Sequence, residues 1–216
     1  MTLFIPGPAG RLEASLWTPG DKEGPPRPPP TPRAAAVICH PHPLHGGTLQ
    51  NNVVFRISRA LQAAGLAVLR FNFRGAGESE GTHDGGPGEV EDARAGLDWM
   101  QAKYPGLPLW AGGFSFGART TAELAARDER VACLVAVALP CLAFDCSIAL
   151  EVTQPGIVMM AGSDDFGTAA ALSEMYPQWP ANLEVDEIPG VDHFFKGQTP
   201  QLEARLRAWA GRMLAT

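Results

Sequence analysis

From residue 34 onward, short apolar runs alternate with stretches of helical periodicity. That alternation confines the chain to a mostly parallel sheet with helices on both faces. Residues 34–39 (AAAVIC) are the first buried strand. A helix over 51–64 follows, with Val54, Ile57, Leu61 and Ala64 on one face and Gly65 as its C-cap. Strands are predicted at 66–73, 108–114, 132–139, 156–161 and 183–188, and helices at 89–104, 116–127, 167–176 and 200–214. Several of these strands are apolar on both faces, as the interior of a parallel sheet requires.

Upstream, Leu3–Ile5 and Leu12–Trp17 read as a hairpin about a Pro-Gly turn. Residues 19–33 (PGDKEGPPRPPPTPR) carry seven prolines in fifteen residues. Such a stretch cannot donate ladder hydrogen bonds, so it is expected to be a surface loop. The expected organisation is one domain over 1–216: a hairpin (1–18), the proline-rich loop (19–33) and a core (34–216).

Composition narrows the function. With 45% apolar residues the chain can fill a core without disulfides. A net charge of −6 and a pI near 5.3 argue against a nucleic-acid partner, which needs a basic surface. No apolar run approaches the length of a membrane span. The N-terminus has no basic region followed by an apolar run, so no secretory signal is expected. The four cysteines form no C-x-x-C pair, which fits a reducing cytoplasm.

Ligands of open parallel sheets bind at the carboxyl ends of the strands. One such loop reads Gly113-Phe114-Ser115-Phe116-Gly117, a G-x-S-x-G between a buried strand and a helix. A turn this tight forces its serine into strained backbone angles and demands small neighbours two residues away. Ser115 is the candidate nucleophile, and the Phe116 N–H at the helix start is the first oxyanion donor. His193, the sole histidine downstream of Ser115, lies after the last strand and is the candidate base. The loop after the strand at 156–161 holds Asp164 and Asp165, and either has the reach to orient His193.

The first strand ends in His40-Pro41-His42-Pro43-Leu44-His45-Gly46-Gly47. This loop is placed to supply the second oxyanion N–H; Pro41 and Pro43 have none, so His42 is the best-placed donor and Leu44 the next. Three histidines within six residues also admit a metal-dependent reading. Once a serine, acid and base are in place, no metal or other cofactor is required. The loop at 74–81 (RGAGESEG) lacks the spacing and following helix of a dinucleotide site, and reads as turn structure anchored by Arg74. Leu44, Phe114, Phe194 and Phe195 are candidate pocket residues.

Six segments together resemble the α/β-hydrolase superfamily, and within it a small dienelactone-hydrolase-like group of bacterial hydrolases. They are HPHPLHGGTLQNNVV (40–54), LAVLRFNFRGAGESEG (66–81), GEVEDARAGLDWM (88–100), AGGFSFGA (111–118), GSDD (162–165) and VDHFF (191–195). The resemblance implies the α/β-hydrolase fold, a triad of Ser115, Asp165 and His193, no cofactor, and hydrolysis of a small-molecule carboxylic ester. Two departures stand out: the long proline-rich stretch, and a serine where dienelactone hydrolases proper use cysteine. In this fold a lid is usually inserted after the strand at 132–139, but only about fifteen residues follow before the next strand. A minimal lid favours short acyl chains. Thioesterase or amidase activity, the metal-dependent route through His40, His42 and His45, and a non-catalytic binding role are the alternatives.

Overall fold

The computed structural model describes residues 2–20 and 30–215, so residues 21–29 of the proline-rich stretch lie outside the described residues. Eight strands form one sheet: β1 (Leu3–Gly7), β2 (Gly10–Trp17), β3 (Ala34–Cys39), β4 (Leu66–Phe71), β5 (Leu109–Phe114), β6 (Val131–Val137), β7 (Gly156–Ala161) and β8 (Leu183–Ile188). Their spatial order is β1-β2-β4-β3-β5-β6-β7-β8. β1 pairs antiparallel with β2 and β2 antiparallel with β4, and the remaining pairings are parallel. Five helices connect the strands: α1 (Asn52–Ala64), α2 (Pro87–Lys103), α3 (Phe116–Arg127), α4 (Ala169–Met175) and α5 (Thr199–Met213).

The period of two along β3 shows how one run feeds two cores. Ala34, Ala36 and Ile38 join the core under α1 and α5, where Leu202, Leu206 and Trp209 also lie. Ala35, Val37 and Cys39 face the opposite core, with Leu97 and Met100 of α2 and Leu124 of α3. The α1 helix has the Gly65 C-cap its sequence predicts, and Asn51, predicted as its first residue, is its N-cap. The Asn51 side chain accepts from the Val53 and Val54 N–H groups, and Gly65 takes a left-handed φ of 107°.

Element ends differ from the sequence expectation where local hydrogen bonds win. The strand predicted at 66–73 stops at Phe71, because the Asn72 N–H donates to Glu13 O and its side chain bridges Glu13 and the Leu49 N–H. The strand predicted to 139 stops at Val137, where Ala138 turns to φ 49°. The loop at 74–81 is tied down as turn structure: Arg74 pairs with buried Asp92, and Glu80 with Arg11 of the hairpin. Residues 138–155, between β6 and β7, hold only a short 3-10 turn at Ser147–Glu151, so the position of a lid is bare. Among the described residues, no helix is long and apolar enough to cross a membrane.

From β3 the chain passes to β4 on one side, then crosses over to β5 on the other. This reversal opens a crevice at the carboxyl ends of β3 and β5, the ligand position of such sheets.

Candidate active site

At that crevice β5 runs through one residue into α3. Ser115 is the link, with φ 57° and ψ −120°, a backbone state that an L residue holds only when its surroundings impose it. The imposition is visible on both sides. A Cβ on Gly113 would lie 2.4 Å from the backbone of Gly117, and one on Gly117 would lie 2.5 Å from Cys39 O and 2.6 Å from His40 O. The Ser115 N–H donates to Val137 O of β6 at 2.9 Å, which fixes the turn to the sheet.

The raised serine meets an imidazole. Ser115 Oγ lies 2.9 Å from His193 Nε2, and His193 Nδ1 lies 2.6 Å from Asp164 Oδ2. An ionised carboxylate only accepts, so Nδ1–H donates to Asp164 and Nε2 is left to accept from the serine hydroxyl. Both Asp164 and His193 are buried. Such a relay makes a hydroxyl nucleophilic: the imidazole removes its proton and the carboxylate steadies the imidazolium that results.

The geometry corrects one expectation. Asp165, implied by the family resemblance as the acid, is exposed, while Asp164 faces the histidine. The cause is local. The Gly162 and Ser163 N–H groups donate to Ile188 O and Val191 O, so the 162–167 turn runs alongside the histidine loop. Asp164 then points inward, and its other oxygen accepts from the Phe166 N–H at 2.8 Å, closing a turn in which Asp165 is the outward residue. Asp192 also has a task the sequence did not reveal. Its side chain accepts from the Phe194 and Lys196 N–H groups and so holds the turn that carries His193.

The oxyanion candidates stand beside this relay. The Phe116 N–H is the first of α3, where a helix leaves its donors without intrahelical partners. The 39–42 segment passes directly over the start of α3, and the His42 and Phe116 rings meet at 5.0 Å. His42 Nδ1 accepts from the Leu44 N–H. Burial holds the His42 imidazole below its ordinary pKa, and the neighbouring His83 and His45 push it in the same direction.

The metal-dependent reading fails on His40. Its Nε2 accepts from the Phe73 N–H and its Nδ1–H donates to Pro41 O, so neither ring nitrogen is available to a metal. Burial lowers its pKa to about 4, and the ring is a neutral brace between β3 and the 72–74 loop.

Two of the candidate pocket residues are core. Phe114 and Phe195 are fully buried in the α1–α5 core, because Phe114 belongs to β5 and Phe195 turns inward at φ 53°. Leu44 stands 72% exposed at the rim, and Phe194 lies 55% exposed with its ring 5.3 Å from His193. The sequence reading missed Phe144 and Phe166. Phe166 packs 4.8 Å from the His193 ring, and Phe144 packs 6.1 Å from Phe116. Neither lies in a motif; only their position in strand-end loops hinted at them. Two grooves, of about 450 Å³ beside α5 and about 500 Å³ between β1 and α2, contain none of these residues. The site is recognised by its chemistry rather than by its depth.

Comparison with known proteins agrees with this fold. The family model for the α/β hydrolase fold matches residues 44–159. An α/β serine hydrolase homologue from Coxiella burnetii is 35% identical, with a TM-score of 0.86 and 96% of each chain covered. A Xanthomonas campestris protein described as an α/β serine hydrolase without a lid is 31% identical. Its TM-score is 0.88, covering 100% of this chain and 95% of the other. An uncharacterized protein of Rickettsia prowazekii is 32% identical over 211 residues, 92% of this chain and 84% of the other.

Proposed function

Since the chain belongs to the α/β-hydrolase fold family, we propose that it is a serine hydrolase that cleaves carboxylic esters with short acyl groups. One observation carries the proposal: the unbroken chain of contacts from Ser115 Oγ through His193 to buried Asp164, mounted on a strained elbow.

The mechanism follows from where each group stands. His193 Nε2 takes the hydroxyl proton as Ser115 Oγ attacks the ester carbonyl. The carbonyl oxygen becomes an oxyanion, held by the N–H groups of Phe116 and His42, which cost no reorganisation at that moment. The imidazolium returns its proton to the leaving alcohol, and an acyl-Ser115 ester remains. Water, deprotonated by His193, then attacks that ester, and the departing Ser115 oxygen recovers a proton as the acid is released. Asp164 holds the imidazole in the required tautomer throughout. None of these steps requires a cofactor.

The preference for short acyl groups is supported by the bare lid position between β6 and β7. A long chain would lie on open surface, with little of its area removed from water. The test is turnover of p-nitrophenyl acetate and its longer homologues by wild type and Ser115→Ala. The proposal expects activity to fall from butyrate to palmitate, and the variant to lose at least 10³-fold. Unchanged turnover by the variant contradicts it.

A further inference from the structure

The aromatic side chains around the nucleophile fall into two sets. Phe114 and Phe116, the neighbours of Ser115 in the chain, start one each. On one flank, Phe114 contacts His193 and Phe194, and the His193 ring contacts Phe166. On the other, Phe116 contacts His42, His83 and Phe144, and His42 stacks on His45 at 4.6 Å. Among the described residues, no ring contact joins the two sets. The backbone geometry of the elbow is the reason. Phe114 ends a strand and points into one core, while Phe116 begins a helix and points into the other.

Each set ends in open rings. Phe166 and Phe194 are 45% and 55% exposed on the histidine flank, and Phe144 is 36% exposed on the other. Exposed apolar groups concentrated around a polar centre mark a binding surface. Both surfaces are held in place. The Leu142 N–H donates to Phe166 O and the Phe144 N–H to Pro140 O. Behind the Phe116 flank, His83 Nδ1 sits 2.7 Å from buried Glu89.

We infer that the two flanks read different halves of an ester: Phe166 and Phe194 receive the alcohol, and Phe144 with the His42 ring receives the acyl group. This inference rests on the Ser115–His193–Asp164 reading. His193 must reach the leaving oxygen to reprotonate it, so the alcohol lies on the His193 flank, against Phe166 and Phe194. The carbonyl oxygen is aimed at the Phe116 and His42 N–H groups. The acyl carbons are left with the remaining direction, across the His42 ring toward Phe144. Two exposed phenyl rings on the alcohol side, against one phenyl beside the exposed imidazole of His45 on the acyl side, select esters of a short acid with a flat, apolar alcohol, such as an aryl or arylalkyl alcohol.

The experiment compares kcat/KM over two ester series. One varies the acyl group on a p-nitrophenyl leaving group (acetate, butyrate, hexanoate). The other varies the alcohol on acetate (methyl, cyclohexylmethyl, benzyl). Ratios of variant to wild type cancel the intrinsic reactivity of each ester. Phe144→Ala is expected to change the butyrate-to-acetate ratio by about fivefold or more, and the benzyl-to-methyl ratio by less than twofold. The Phe166→Ala, Phe194→Ala double variant is expected to do the reverse. These rings are exposed, so the variants are expected to fold, which circular dichroism checks. Active variants whose two ratios shift in parallel, or shift in neither series, overturn the inference alone. Wild-type protein that turns over no ester and forms no Ser115 adduct overturns the hydrolase reading and this inference with it.

Discussion

Asp164 Oδ2 lies 2.6 Å from His193 Nδ1, while the adjacent Asp165 is turned to solvent. The pair of neighbours therefore makes an internal control. Asp164→Asn leaves an amide that favours the wrong imidazole tautomer, and kcat on p-nitrophenyl acetate is expected to fall by about 10³–10⁴-fold. Asp165→Asn is expected to stay within about threefold of wild type. Equal losses in the two variants would show that neither aspartate acts through the histidine.

The elbow makes a prediction about stability. A Cβ at Gly117 would meet the Cys39 and His40 carbonyl oxygens at 2.5 and 2.6 Å, and backbone cannot swing aside as a side chain can. Gly117→Ala is expected to cost about 3 kcal/mol or more, measured by urea unfolding. It should also lower kcat, since the 39–42 segment carries the His42 N–H. A neutral substitution here would mean that the 39–42 segment and α3 are not in contact.

His40 predicts a dependence on pH. Its pKa is about 4 in the folded chain against the ordinary 6.5, because burial disfavours the charged ring. The folded chain therefore resists a proton that the unfolded chain accepts. The resulting stability is fully present above pH 6.5 and is lost as pH falls through about 4, by about 3 kcal/mol. Replacement by glutamine keeps a donor and an acceptor but cannot titrate. The loss of unfolding free energy between pH 7 and pH 4 should be smaller in His40→Gln than in wild type. An identical pH dependence in both contradicts the assignment.

Asp92 anchors the turn after β4. It is fully buried and accepts from the Arg74 backbone N–H at 2.9 Å and from Arg74 Nη2 at 2.7 Å. Asp92→Ala leaves the guanidinium, with a side chain only 11% exposed, paired with Asp84 alone at 3.4 Å. The expected cost is about 3 kcal/mol in unfolding free energy. A change below about 1 kcal/mol would mean that water replaces the carboxylate freely.

What the sequence disclosed follows the physics of each feature. The strands and helices were legible because burial on two faces writes continuous apolar runs, and α1 carries its Gly65 C-cap in its sequence. Ser115 was legible because steric crowding demands glycines at 113 and 117. His193 was legible by elimination, as the only histidine downstream. The choice between Asp164 and Asp165 was not. It depends on which side of one turn faces the histidine loop, and that is set by the Ser163 N–H bond to Val191 O, a contact 28 positions away in sequence. Phe114 and Phe195 were misread as pocket walls because an aromatic residue beside a catalytic motif looks the same whether it faces the core or the ligand. Phe144 and Phe166 were missed for the converse reason, since the loop of Phe144 carries no pattern and Phe166 stands just past the end of the GSDD segment.

The central claim is that Ser115 is a nucleophile made reactive by His193 and Asp164. Labelling with an alkyl fluorophosphonate, followed by intact mass and peptide mapping, tests it most directly. The account predicts one phosphonyl adduct per chain, located on Ser115, absent in Ser115→Ala and formed far more slowly in Asp164→Asn. No adduct on the wild-type protein, or an adduct of equal rate in Asp164→Asn, would contradict it.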